Sequence, residues 1–193
     1  MPPKAKITKE NILEASLKLV RHGGISALNA RAIANELNCS TQPIFTVYMT
    51  MDEAKTDVIN MAREYFYKFF TEHIKRQDVP PYKASGLAYI KFAKDEKELF
   101  KLLFMRDRTE EQKQINGYDF DVAIKMIMAD TGFNYDTAKK LHLNIYIVAH
   151  GMATMIATSY LDMSNEVINE ILTDTYQSLL KQYQEKQKGS TGG

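Results

Sequence analysis

Apolar residues recur at three- and four-residue steps along most of the chain, and almost no stretch alternates in the manner of a strand. From about Thr8 to His22, Ile12, Leu13, Leu17 and Val20 share one face, and Gly23-Gly24 stops the helix. A second, short helix is predicted after Asn29, whose side chain can cap it, with Ala30, Ile33, Ala34 and Leu37 at helical spacing. Asn38 belongs to the few residue types that tolerate positive φ, so it can turn the chain. Ser40 is then expected to cap a third helix, with Thr41, Gln42 and Pro43 in its first turn, where proline's missing N–H costs nothing. Two short helices joined by a tight turn have the form of a helix-turn-helix, whose second helix presents side chains to base edges.

The pattern continues as helix. A capping box, Thr50 to Glu53, opens a fourth helix that carries Val58, Ile59, Ala62, Phe66, Phe69 and Phe70 to about Arg76, where Val79-Pro80-Pro81 breaks it. Further helices are predicted near 82–94, 96–105, 118–131, 135–160 and 164–187, with residues 106–117 left unassigned. The tail at 189–193, Gly-Ser-Thr-Gly-Gly, has the composition of a flexible segment.

Residues 7–55 resemble the amino-terminal domain of the TetR/AcrR family of transcriptional repressors. The resemblance rests on Gly23 ending the first helix, on Ile33 with Ala34, and on Ser40 followed by Ile44, Phe45 and Tyr48. It implies an all-α chain: a three-helix helix-turn-helix DNA-binding domain at 1–50, then a helical effector-binding and dimerisation domain at 51–188. Four positions depart from the family pattern. Phe45 stands where a tyrosine is usual and lacks its phosphate-bonding hydroxyl; Met51 replaces a lysine, with Lys55 one turn further on; Asn38 replaces the turn glycine; Val47 replaces a frequent histidine. The DNA-contacting set expected from motif and resemblance is Lys4, Lys6, Asn29, Arg31, Ser40, Thr41, Gln42, Pro43, Phe45, Thr46, Tyr48 and Lys55.

Charge refines this picture. In residues 1–60, Lys4, Lys6, Lys9, Lys18, Arg21, Arg31 and Lys55 are nearly balanced by Glu10, Glu14, Glu36, Asp52, Glu53 and Asp57, so no strongly basic footprint of a non-specific binder exists there. Lys4, Lys6 and Lys9 form a basic arm ahead of the first helix, and residues 40–48 carry no charge. Base reading is therefore expected through Thr41, Gln42, methyl contacts and DNA shape. At 193 residues and 45% hydrophobic, the chain can bury a sizeable core. No apolar leader follows Met1 and Cys39 is the only cysteine, so a cytoplasmic location without disulfides is expected.

The rest of the chain offers ligand and partner surfaces. Tyr65, Phe66, Tyr67, Phe69 and Phe70 either join two domains or line a cavity. Met105, Met126, Met128, Met152 and Met155 are either core or adaptable lining. Tyr146, His150 and Gly151 match residues that recur in the second domain of some family members. The expected effector contacts are Phe66, Phe70, Met105, Met126, Tyr146, His150 and Met152, for a small apolar or amphipathic molecule. Residues 143–161 carry no formal charge, but Asn144, His150, Thr154, Thr158 and Ser159 argue for a buried helix rather than a membrane span. Apolar stripes on the last two helices predict a homodimer interface at Ile145, Met152, Ile156, Ile168, Ile171, Leu172 and Leu179.

Enzyme-like signals do not assemble. Asp130-Thr131-Gly132 spells an aspartic-protease triplet but follows a helix, where Gly132 fits a stop. Asp119 and Asp121 suit a helix start, and His142 and His150 lack a carboxylate or cysteine partner at metal-ligand spacing, so no catalytic residue, metal or cofactor is expected. The reading is a ligand-responsive regulator, most simply a repressor, that binds a pseudo-palindromic double-stranded operator as a homodimer. The opposing reading is a helical interaction protein whose sequence-specific DNA binding is weak or lost, on the strength of Phe45 and Met51.

Overall fold

The computed structural model describes residues 7–75, 78–107 and 117–190, and every regular element among them is helical. In chain order these are α1 (Lys9–Gly23), a 3-10 turn (Ile25–Ala27), α2 (Ala30–Glu36), α3 (Gln42–Val47), α4 (Met51–Lys75), α5 (Pro81–Asp95), α6 (Lys97–Phe104), α7 (Gly117–Thr131), α8 (Tyr135–Ala157) and α9 (Asn165–Ser190). The predicted helices are present with boundaries shifted by a few residues, and the 3-10 turn was not foreseen. No helix of the described residues is long and apolar enough to cross a membrane.

The chain divides into two compact units at other points than a boundary after residue 50. Unit 1 holds the described residues up to Phe69 together with Asp95–Arg106; unit 2 holds Phe70–Lys94 and the described residues from Asp107 onward. The helix-turn-helix therefore has most of α4 and all of α6 as its own support.

In unit 1, α1 starts with a capping box: the Asn11 N–H donates to Thr8 Oγ1 and the Thr8 N–H donates to Asn11 Oδ1, each at 3.2 Å. Thr8 is thus the cap and not the first helical residue. Gly24 ends the helix at φ 70°, and its N–H donates to the Val20 carbonyl. The left-handed backbone favours glycine there, and a Cβ would stand 2.8 Å from Glu98 Oε2, so that side chain would have to move. Ile12, Val20, Ile33, Ile44, Val58 and Leu99 are fully buried. One part-buried polar contact of this unit is an ion pair: the Arg21 guanidinium donates to both carboxylate oxygens of Glu96, Nε to Oε2 at 2.9 Å, while the Tyr65 hydroxyl donates to Oε1 at 2.9 Å. It joins α1, α4 and the residue that precedes α6.

The start of α4 departs from the expected capping box in one bond. The Glu53 N–H donates to Thr50 Oγ1 as expected, but the Glu53 carboxylate accepts from the N–H of Met49 rather than that of Thr50. The effect is the same in kind, because backbone donors at the helix entry are satisfied.

In unit 2, α7, α8 and α9 pack in sequence around Ile124, Ile127, Phe133, Ala138, Leu141 and Ile145, with Tyr82, Tyr176, Leu179 and Tyr183 against that cluster. Asn134 caps α8 by accepting from the Thr137 N–H at 2.9 Å. Gly132, at φ 70°, stops α7, as the reading of the Asp130-Thr131-Gly132 triplet requires. At the far end α8 stops at Ala157, three residues before the predicted end. There Ser159 adopts φ 57°, its N–H donates to Ile156 and the Tyr160 N–H donates to Met155, a Schellman ending built without glycine.

Candidate functional site

Asn29 caps α2 as predicted, its Oδ1 accepting from the Ala32 N–H at 2.9 Å. Asn38 turns the chain at φ 51°, and the Cys39 N–H closes the turn on the Ala34 carbonyl. Ser40 does not cap α3. The cap is Thr41, which has helical backbone angles and no side-chain bond to the helix. The reason lies in Pro43: a capping oxygen serves the N–H of the second or third helical residue, proline has none, and the third, on Ile44, donates to the Thr41 carbonyl.

With six residues, α3 divides sharply into two faces. Ile44 is fully buried, and the following residue Tyr48 is 4% exposed, its hydroxyl donating to Asp57 Oδ2 at 3.0 Å. Tyr48 is therefore a packing residue, which corrects its assignment to the DNA-contacting set. Burial, and then the bond to Asp57, push its hydroxyl above the ordinary phenol range. Gln42, Phe45 and Thr46 face outward, with Met49 just beyond; Phe45 is 52% and Met49 83% exposed. The Thr46 hydroxyl donates to the Gln42 carbonyl at 2.9 Å, so this side chain offers its methyl group to the outside.

The cations around this face are differently placed. Lys4 and Lys6 lie outside the described residues. Lys9, the third lysine of the basic arm, pairs with Asp57 at 2.6 Å and lies 5.4 Å from the centre of the Tyr48 ring. Lys55 pairs with Asp52 at 2.8 Å. Arg31 is exposed on α2 and makes no side-chain hydrogen bond or ion pair to another described residue.

The expected effector residues are divided between the two units. Phe66 and Met105 belong to unit 1, where Phe66 packs edge-on against Phe104 with ring centres 5.1 Å apart. Phe70, Met126, Tyr146, His150 and Met152 belong to unit 2, and of these Met152 is buried. Tyr146 and His150 do come together, stacked at 5.6 Å, inside a larger group of rings. The Tyr89 hydroxyl is hydrogen-bonded to His150 Nδ1 at 2.8 Å, and the Tyr82 hydroxyl to His142 Nδ1 at 3.0 Å. Phe120 lies edge-on to both His142 and Tyr146. Burial pushes the His142 imidazolium down to about 4, lowers His150 in the same direction, and raises the hydroxyls of Tyr82 and Tyr89. Near neutral pH these two histidines and two tyrosines are uncharged, with hydrogen-bonding capacity intact.

Sequence reasoning missed Tyr82, Tyr89, Phe120 and His142 in this cluster. The signal was present: His142, Tyr146 and His150 follow at four-residue steps on one helix, and Tyr82 and Tyr89 at a seven-residue step on another. The sequence reading gave His150 an effector contact and His142 none, because their ring partners lie on other helices.

The expected dimer residues also need correction. Ile145, Met152, Ile156, Ile168 and Leu172 are buried in the single chain, and Ile171 and Leu179 are half-buried, Leu179 against the core cluster. The chain uses most of both stripes internally because α8 packs against α7 on one side and α9 on the other. A third face of α8 stays outside. Leu143, Ile147 and Met155 are exposed there, Ile147 at 60%, with Gly151 between them at the same four-residue step.

No protein-family model and no curated protein sequence matches the chain. Solved structures do. A TetR-like transcriptional regulator from Rhodococcus sp. RHA1 is similar over 95% of this chain and 96% of its own, with a TM-score of 0.64 at 12% identity. A TetR-family member from Streptomyces coelicolor A3 is similar over 86% of this chain and 96% of its own, with a TM-score of 0.57 at 17% identity. The multidrug binding protein EbrR, complexed with imidazole, is similar over 86% of this chain and 88% of its own, with a TM-score of 0.52 at 15% identity. The helix order, the helix-turn-helix and these likenesses agree: the chain has the fold of the TetR-like transcriptional regulators.

Proposed function

We propose that the protein is a ligand-responsive transcriptional regulator that binds a pseudo-palindromic operator as a homodimer and represses from it. The observation that carries this reading is the outward face of α3: Gln42, Phe45 and Thr46 stand clear of the core on a helix held from behind by Ile44 and Tyr48. A face left largely open by the described residues, on the second helix of a helix-turn-helix, has the placement needed to enter a major groove. Arg31 and Lys55 supply phosphate contacts at its sides; Lys55 must exchange Asp52 for phosphate, so part of its contribution is offset. Lys4 and Lys6 add contacts from the arm.

The homodimer uses the third face of α8. Leu143, Ile147 and Met155 form an exposed apolar stripe, and no described atom occupies the space within 4 Å of where a Cβ at Gly151 would stand, so a second helix can approach closely at mid-stripe. An isologous pairing of this stripe with its copy gives the two-fold symmetry that a palindromic site needs, with two copies of α3 roughly 34 Å apart. Ile147→Asp should leave the fold intact and shift sedimentation from dimer to monomer. A monomeric unaltered protein at micromolar concentration would remove this face from the reading.

The effector is a small amphipathic molecule taken up in unit 2 beside the Tyr–His cluster, whose uncharged rings suit an apolar body with one or two hydrogen-bonding groups. To move the protein from mostly DNA-competent to mostly released, it must favour the released state by roughly 5 kcal/mol. Selection of bound sites from randomised duplex DNA tests the central claim. Recovery of a two-fold symmetric sequence supports it, while equal retention of all duplexes at low salt favours the helical interaction protein.

A further inference from the structure

The outward face of α3 has a composition that limits which base pairs it can read. From Ser40 to Met51 no side chain is charged, and the exposed residues among Gln42, Phe45, Thr46 and Met49 offer one amide, one ring, one methyl and one thioether chain. Specific recognition of guanine in the major groove is most often made by an arginine or lysine pairing with O6 and N7, and this face has neither. An amide of the glutamine type instead matches the N6 donor and N7 acceptor of adenine, and apolar groups match the C5 methyl of thymine.

The geometry leaves these groups available. Gln42 is exposed, and its amide makes no hydrogen bond to another described residue. The Thr46 hydroxyl gives its proton to the carbonyl one turn back, so it has no donor left for a base, and its methyl group adds apolar surface. Phe45 projects a half-exposed ring where the family pattern has a tyrosine, so a phosphate-bonding hydroxyl has been exchanged for apolar surface. Phe45 and Met49 place exposed apolar surface on this face, of the kind that thymine methyl groups match.

We propose that α3 reads a half-site dominated by A·T base pairs, Gln42 pairing with an adenine while Phe45, Thr46 and Met49 close on thymine methyl groups. This rests on the operator-binding reading above and adds the chemical class of the operator to it. It also gives the departure at Phe45 a role as a different mode of reading and not a loss of function.

The test uses the full chain and a pool of randomised duplexes. The enriched half-sites should carry A·T pairs at their central positions. The winning duplex is then synthesised with deoxyuridine in place of thymidine, one position at a time, which removes a methyl group and leaves base pairing unchanged. Each contacted position should weaken binding by roughly fourfold, the equivalent of one buried methyl group. With Phe45→Ala, whose melting temperature is measured to confirm that it stays folded, the loss at its position should disappear. Gln42→Ala should lose about tenfold on the selected duplex and less on one with that adenine replaced. Enriched half-sites with central G·C pairs, or indifference to every uracil substitution, would overturn the proposal and leave operator binding standing. Failure to enrich any sequence would overturn both.

Discussion

Unit 1 joins its helices through the Arg21–Glu96 ion pair, and unit 2 joins α5 to α8 through neutral hydrogen bonds. Arg21 and Glu96 carry full charges, with the Glu96 side chain only 9% exposed and Tyr65 adding a hydroxyl to the same carboxylate. Tyr82 with His142, and Tyr89 with His150, join helices by hydrogen bonds between groups that burial keeps uncharged. An ion pair holds its partners firmly, because either one left alone in the interior is costly. A neutral pair is softer and can exchange its partner for a ligand group of similar polarity. A firm first unit and a more adaptable second unit are what the proposed ligand-responsive regulator would need.

Breaking the ionic contact should have the largest effect. Arg21→Met keeps the apolar stem but leaves Glu96 buried with only Tyr65 as donor. The expected loss is about 2 to 3 kcal/mol in urea denaturation, below the range for a fully buried pair because the Arg21 side chain is 41% exposed. Tyr82→Phe removes one neutral bond in unit 2 and should cost about 1 kcal/mol. Equal losses for the two variants would erase the contrast.

Acid should separate the units next. His142 has its folded value pushed down to about 4 by burial, against an ordinary 6.5, so below pH 6.5 the unfolded chain binds a proton that the folded chain refuses. Its stabilising contribution is complete above pH 6.5, falls as pH drops, and levels off below about 4. Asp57 in unit 1 is shifted below its ordinary 3.8, first by the Lys9 hydrogen bond, so its contribution persists above pH 3.8 and is lost only as pH falls through its lower folded value. Titration from pH 7 to 4.5 should therefore weaken signals from Tyr82 and Tyr89 before those from Tyr48. His142→Phe should flatten the early slope. A coincident loss of all three signals would show that the units do not respond separately.

The two units were also unequally legible in the sequence. Unit 1 is governed by local chemistry: the Asn29 cap, the Gly23-Gly24 stop and the Asn38 turn each announce themselves by residue type, and the structure places each as read. Its misreadings, Ser40 and Tyr48, arose from one missing proline N–H and one distant carboxylate, Asp57. In unit 2 the helices were legible from period alone, but their partners were not. Stripes on α8 were sound as apolar faces, yet period cannot tell a face covered by the same chain from one covered by a second copy. The Tyr–His cluster depends on which helix lies against α8, and that pairing of α5 with α8 is a property of the packing and not of either helix.

The smallest predicted effect compares two left-handed residues, one in each unit. Asn38, at φ 51°, lies in the turn between α2 and α3, and Ser159, at φ 57°, ends α8. Asparagine tolerates this region better than serine, whose Cβ crowds the following carbonyl without the same local compensation. Glycine removes that crowding but gives the unfolded chain more freedom, so the two effects oppose each other. At Asn38 they should nearly cancel, giving a change within about 0.5 kcal/mol. At Ser159 relief of crowding should win, and Ser159→Gly should raise stability by about 0.5 to 1 kcal/mol. Paired thermal melts of the two variants check the order. A larger gain at Asn38 than at Ser159 would mean that the turn between α2 and α3 is the more strained of the two.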